Sequence, residues 1–327
     1  MIKGLAGLAL NSEAVSDADE EIFIVYTHLQ QASTDLVGSD GFRGLGQVDS
    51  RKDTLLIQFE LKPPAVQSDP QPERSKATKR KTKTKTKTLF NASTKTIEVD
   101  LFQDKTALRS RKGDTGSVLW RASIEFAQIV LQQHFFQPEN PLFDKAALAN
   151  YRVLELGAGT GLLSIVFSPL VRSYTVSDIS DLLPLIRKNI VLNFPHGKNK
   201  TSSMASNISV EELDWLTLFS LPSPARMRYC PCPFDAPTEP WDLVLLVDCI
   251  YHPSLLPALV ETIDVAATQS KSWVLVAVEL RQEDVVREFL DLWLKKGQWT
   301  LWRLEGVLSL HYGIWMGQKG YERQSDL

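Results

Sequence analysis

Cysteine is scarce. The 327 residues hold three, Cys230, Cys232 and Cys249, too few for a disulfide framework. No uninterrupted apolar run approaches the ~20 residues of a membrane-spanning helix, so no membrane partner is expected. The N-terminus, MIKGLAGLALNSEAVSDADEE, lacks the basic segment and long apolar stretch of a secretory signal. The five histidines are scattered, and Cys230 and Cys232 form C-x-C and not C-x-x-C, so no metal site is expected. The chain also lacks a G-x-S-x-G elbow, a P-loop and a metal-ligand pair at helical spacing. Together these absences point to a cytoplasmic compartment, with the nucleus open.

What is present is an ordinary globular composition, 43% hydrophobic and 23% charged, which excludes global disorder and fibrous folds. The length favours about two domains. The net charge of −3 hides an asymmetry: residues 74–88, RSKATKRKTKTKTKT, carry eight positive charges, and without them the rest stands at −11. Like charges repel, and Lys-Thr alternation has almost nothing to bury, so a disordered basic loop is expected over 68–90. It reads either as a contact arm for RNA or the ribosome, or as a solvated insertion.

Three β-branched, aromatic-rich runs surround this loop: 22–29 (IFIVYTHL), 54–61 (TLLIQFEL) and 94–102 (TKTIEVDLF). They predict a small antiparallel meander, so residues 1–112 read as a β-rich accessory region. From Thr115 the apolar spacing turns helical. Strands and helices then alternate through YRVLELG, SYTVSD, ISVEELDW, WDLVLLVDCIY and WVLVAVELR, and two consecutive strands end the chain. Ser180 is placed to cap the helix after the second strand, and 220–240 reads as a proline-rich loop. The alternation predicts a parallel sheet covered on both faces, with an antiparallel element at one edge.

The strongest chemical signal is VLELGAGTGLLS, 153–164. A buried strand runs into Gly157, Gly159 and Gly161, which let a ligand approach backbone at the strand's carboxyl end. The spacing is G-x-G-x-G and not the dinucleotide G-x-G-x-x-G. Glu155 stands two residues before the first glycine, where an acid repels phosphate and suits a cationic ligand. Asp178, ending the second strand, is positioned for a ribose hydroxyl pair. These features fit S-adenosyl-L-methionine, with a nicotinamide cofactor or a bare turn as the alternatives.

ELGAGTG resembles motif I of the seven-β-strand methyltransferases, and residues 115–320, within a methyltransferase domain read over 113–327, are similar to family 16 of that class, the protein-lysine methyltransferases of the methyltransferase-like protein 21 group. TGSVLWRAS (115–123), LDW (213–215), DCIY (248–251) and Glu279-Leu280-Arg281 resemble that family's further motifs. The resemblance implies a Rossmann-like α/β sheet of seven strands with an antiparallel C-terminal hairpin. It implies that Glu155, Gly157, Ala158 and Gly159 line the methionine end of the cofactor, Asp178 the ribose, and Asp214 and Trp215 the adenine. Trp120 would pack over the cofactor or serve the core. Asp248 and Tyr251 would be the catalytic pair, with Asp248 also bordering the cofactor, because a carboxylate accepts from an ammonium and an aromatic face attracts it. The β-rich extension is similar to that of the fungal ribosomal lysine methyltransferase 5 family, whose role is to methylate a large-subunit ribosomal protein. A monomer acting on a ribosomal protein is therefore expected. RNA or a small molecule as target, or a non-catalytic ribosome-associated scaffold that binds the cofactor, are the alternatives.

Overall fold

The computed structural model describes residues 12–35, 46–49, 51–64, 94–105, 115–194, 205–267 and 272–320. The basic run 74–88 lies outside the described residues.

The elements run in chain order as β1 (Ser12–Val15), α1 (Ala18–Asp35), β2 (Thr54–Leu61), β3 (Lys95–Phe102), α2 (Arg121–Phe136), α3 (Lys145–Leu148), β4 (Arg152–Leu156) and α4 (Leu162–Phe167). They continue as β5 (Ser173–Asp178), α5 (Leu183–Asn193), β6 (Ile208–Glu212), α6 (Trp215–Ser220), α7 (Ser223–Tyr229) and β7 (Leu243–Val247). The last are α8 (Leu256–Ala266), β8 (Trp273–Glu279), α9 (Glu283–Lys295), β9 (Trp299–Leu304) and β10 (Tyr312–Lys319).

One sheet has the order β1-β9-β10-β8-β7-β4-β5-β6. Its β6-β5-β4-β7-β8 part is parallel, and β10, β9 and β1 are antiparallel. This is the Rossmann-like arrangement expected, with eight strands in place of seven. The extra edge strand is β1. The strand order reverses at β4, whose neighbours are β5 and β7, and ligands bind at the carboxyl ends on either side of such a reversal.

β4, β7 and β8 are buried along nearly their whole length because helices cover both faces. Side-chain alternation divides the core. Val153, Leu245 and Leu275 face α2, α4 and the β2–β3 hairpin, and Leu154, Leu246 and Val276 face α8 and α9. The hairpin alternates exposed and buried residues, and Ile57, Phe59, Leu61 and Leu101 join the first core.

Four expectations are corrected. Residues 22–29 are not a strand but lie inside α1. Asp17 Oδ1 accepts from the Glu20 amide at 2.8 Å, three acids fill the first turn, and Ile22, Val25 and Leu29 recur at helical spacing against the second core. The meander is thus a two-stranded hairpin. The helix anticipated from Thr115 starts at Arg121, with Trp120 extended before it. Helix α5 starts after Leu182, not at a Ser180 cap. The proline-rich stretch contains α7, opened by Pro222 and Pro224 near its N-terminus, where a missing amide hydrogen costs nothing.

Candidate active site

The loop after β4 is shaped by its glycines. Gly157 has φ +67° and Gly159 φ +58°, the left-handed region that glycine occupies without penalty. A Cβ on Gly157 would lie 2.9 Å from Cys249 Sγ and 3.0 Å from the Trp215 ring, and one on Gly159 would lie 3.0 Å from the Gly116 carbonyl. Side chains at these points would fill the space that leaves backbone bare. The Gly159 amide donates to Asp178 Oδ2 at 2.7 Å and the Ile179 amide to Oδ1 at 2.8 Å, so the end of β5 is fixed against the loop. Asp214 caps α6, accepting from the Leu216 amide at 2.9 Å and the Thr217 hydroxyl at 2.8 Å. That cap orients Trp215, the next residue, toward Gly157.

These elements enclose a cavity of about 540 Å³. The structure brings Trp120, Gly157, Ala158, Gly159, Asp178, Asp214, Trp215, Asp248 and Tyr251 together in its lining. Glu155 is not among them. The pleat turns it to the side of Val153, where it is 3% exposed and accepts from the Tyr174 hydroxyl at 2.9 Å. Burial pushes its carboxyl up to about 8, against the Tyr174 bond and with help from Asp178. Burial therefore favours its neutral form, and it does not face the cavity. Asp181, which sequence reasoning passed over, does line it; its place just beyond β5 was the available signal.

Asp248 is also not the open acceptor anticipated. It ends β7 with φ +62°, a strained conformation for a side-chain-bearing residue that aspartate tolerates better than most. Its side chain is 3% exposed and paired with Arg281 Nη2, and Oδ1 accepts from the Glu279 amide at 3.3 Å. Burial pushes the carboxyl upward while Arg281 and that amide pull it back. The Arg281 guanidinium lies over the Trp120 ring, 4.8 Å from its centroid, and the Trp120 indole donates to the Thr115 carbonyl at 2.8 Å. The Cys249 thiol is buried and donates to the Leu156 carbonyl at 3.1 Å, and burial raises it well above the usual thiol range. That is a structural cysteine, not a nucleophile.

Among the described residues that line the cavity there are four aspartates, Asp178, Asp181, Asp214 and Asp248, and no lysine or arginine. Such a site rejects pyrophosphate and accepts a cationic nucleoside. The donor set fits S-adenosyl-L-methionine: a carboxylate at the end of β5 for ribose hydroxyls, bare backbone at Gly157–Gly159, an indole at Trp215, and acids around a sulfonium.

The chain is 34% identical over 191 residues to a Schizosaccharomyces pombe protein named diaminohydroxyphosphoribosylamino-pyrimidine deaminase, covering 58% of this chain and 40% of that one. It is 30% identical over 148 residues to the Danio rerio protein N-lysine methyltransferase METTL21A, covering 45% and 58%. It is 27% identical over 243 residues to ribosomal lysine N-methyltransferase 5 of Eremothecium gossypii, covering 61% and 73%. The chain thus spans well under two thirds of the first two. Among solved structures, the DhpI–SAH complex matches 54% of this chain and 81% of its own at 14% identity and a TM-score of 0.35, too loose a likeness to bear on function. Residues 103–295 match the model of a family described as lysine methyltransferase. With that match over more than half its length, around the glycine loop and the acidic cavity, the chain belongs to the lysine methyltransferase family.

Proposed function

We propose that this chain transfers a methyl group from S-adenosyl-L-methionine to the ε-amine of a lysine in a protein substrate. The observation that carries the reading is the cavity lined, among the described residues, by four aspartates and no lysine or arginine. When bound, the cofactor supplies an electrophilic methyl on a sulfonium. Asp178 would hold the ribose hydroxyls, Trp215 beside Asp214 would flank the adenine, and the bare Gly157–Gly159 backbone would receive the methionine end. Asp248 and Tyr251, at the end of β7, form the mouth through which the lysine enters. Aligning nitrogen, methyl and sulfur supplies part of the ~7–11 kcal/mol available from orientation. The amine must arrive as the free base, and at a reference pKa of ~10.4 only about one lysine in a few thousand is neutral at pH 7.

The proposed substrate is a ribosomal protein, with the enzyme acting as a monomer in the cytoplasm. For the ribosomal substrate, the supporting observation is the 27% identity that runs over 73% of ribosomal lysine N-methyltransferase 5. The basic run 74–88 is proposed to hold the enzyme near ribosomal RNA, since phosphate contacts by Lys and Arg give affinity without sequence choice.

The test is transfer of radiolabelled methyl into an extract lacking the enzyme, with ribosomal and soluble fractions separated and half of each nuclease-treated. A nuclease-resistant ribosomal band that yields methyl-lysine on hydrolysis is expected. Label lost with nuclease moves the target to RNA, and label confined to small molecules overturns the protein reading.

A further inference from the structure

Behind the mouth lies a half-buried cation that no step above uses. Arg281 stands two residues past β8, and its Nη2 donates to Asp248 and, at 2.9 Å, to Glu279 Oε2. The Trp120 ring covers one face of the guanidinium. Gly46, at φ +81°, lies close against it: a Cβ there would come within 2.5 Å of both Arg281 Nη2 and Glu279 Oε2. The Gly46 carbonyl accepts from the Arg121 amide at 2.8 Å, and Gln47 pairs with Trp120, so a segment from the N-terminal region is fastened over the arginine. Two carboxylates, an aromatic face and a glycine strap hold one guanidinium in one place. Arg281 is not among the residues that line the cavity; Asp248 and Trp120 are.

This arrangement answers a difficulty in the lysine reading, on which it rests. An unpaired carboxylate beside the entering amine would raise that amine's pKa and hold it as ammonium, the unreactive form. We infer that Arg281 is a positioning residue that quenches the charge of Asp248 inside the protein, so that the substrate amine meets an already paired acid and loses its proton more readily. Burial alone would lower the proton affinity of the guanidinium, but Asp248 and Glu279 outweigh it, so Arg281 remains a cation throughout the working range. The other titratable groups that line the cavity are Tyr251 and His252 beyond β7, Asp178 at the end of β5 and Asp181 beyond it, and Asp214 beyond β6. Of the acids that line the cavity, Asp248 is held by Arg281 through an ion pair.

The experiment uses the full chain at saturating S-adenosyl-L-methionine. Initial methylation rates are measured from about pH 6.5 to 10 on the nuclease-treated ribosomal protein fraction and on the soluble protein fraction. Arg281→Gln is expected to shift the rising limb upward by about one pH unit, the small end of what one nearby charge does. The rate then falls about tenfold at pH 7.5 and converges on wild type near pH 10. Arg281→Lys is expected to keep the wild-type profile, and Asp248→Asn/Arg281→Gln to restore its position by removing both charges. Cofactor affinity, read by calorimetry, is expected to stay within about twofold for Arg281→Gln, because the residue lies outside the cavity. Loss by an equal factor at every pH, or a profile unmoved in Arg281→Gln, overturns the inference alone. If Arg281→Gln does not fold, a limb left in the wild-type position by Arg281→Lys, together with one moved to lower pH by Asp248→Asn, still supports it; no shift in Asp248→Asn overturns it. A wild-type chain that labels no protein at any pH overturns the lysine reading and this inference with it.

Discussion

Asn189 ties the N-terminal hairpin to the glycine loop. Its side-chain amide donates to the Thr160 carbonyl at 2.9 Å and to the Phe102 carbonyl at 3.0 Å, and its oxygen accepts from the Phe102 amide at 2.7 Å. One turn on, Asn193 accepts from the Asp100 amide at 3.1 Å and donates to its carbonyl at 2.7 Å. Two asparagines of α5 therefore complete the open edge of β3 as another strand would. On the opposite edge, Gln132 of α2 bonds both the amide and the carbonyl of Lys62, and Gln128 donates to the Glu60 carbonyl. A two-stranded sheet is marginal alone and its edges invite pairing; here both edges are occupied by helix side chains. Asn189 is fully buried, so Asn189→Ala leaves the Phe102 and Thr160 groups without partners. The expected cost is about 2–4 kcal/mol in urea unfolding, with weaker cofactor binding by calorimetry, because Thr160 lines the cavity.

Gly157→Ala tests the cofactor cradle. The new methyl would meet Cys249 and the Trp215 ring at 3 Å or less, at a φ of +67° that alanine resists. Calorimetry is expected to show at least tenfold weaker S-adenosyl-L-methionine binding. Unchanged affinity would show that the cofactor does not approach this backbone.

Glu155 makes stability fall as pH rises. Its folded pKa, near 8 through burial, lies above the unfolded value. The folded state therefore binds more protons between the two, and the stability present below about pH 4.5 is lost as pH climbs to about 8. Glu155→Gln is expected to flatten that decline by up to about 1.4 kcal/mol per pH unit. Urea titrations at pH 5, 6.5 and 8 measure it, and parallel curves for the two proteins would refute it.

Arg303 is held by Glu21 at 2.6 Å and by Glu305 at 2.9 Å, and Glu13 also contacts it. Glu21 in addition accepts from the Trp315 indole at 2.7 Å. Glu21 and Arg303 are both buried, so Glu21→Ala is expected to cost about 3–5 kcal/mol by leaving a buried charge short of its partner. Glu13, whose side chain is 62% exposed, is expected to contribute under about 1 kcal/mol. Urea unfolding of both alanine variants separates the two cases.

The parallel sheet was legible because its strands are short apolar runs divided by helical spacing, and the site because its glycines and acids sit at strand ends. Residues 22–29 misled because their β-branched and aromatic content outweighed a helix signal also present: Asp17 and Glu20 form a D-x-x-E opening, and Ile22, Val25 and Leu29 share a face. Glu155 was assigned by its distance from Gly157, but the two-residue pleat period decides where it points, and Tyr174 on the neighbouring strand receives it. Arg281 was visible as part of a motif and not as a partner of Asp248, because 33 residues separate them and only the adjacency of β7 and β8 brings them together.

The outermost strand carries one more consequence. β1 pairs with β9 through Ser12–Leu304, and α1 is secured through Glu21 to Trp315, 294 residues later in the chain. During synthesis the parallel strands emerge and can collapse first, while β1 must wait for β9, some 290 residues later, before it finds its edge. Closure of this sheet is therefore a completion step, and a ribosome stalled before β9 would leave residues 12–35 without their partners on β9 and β10.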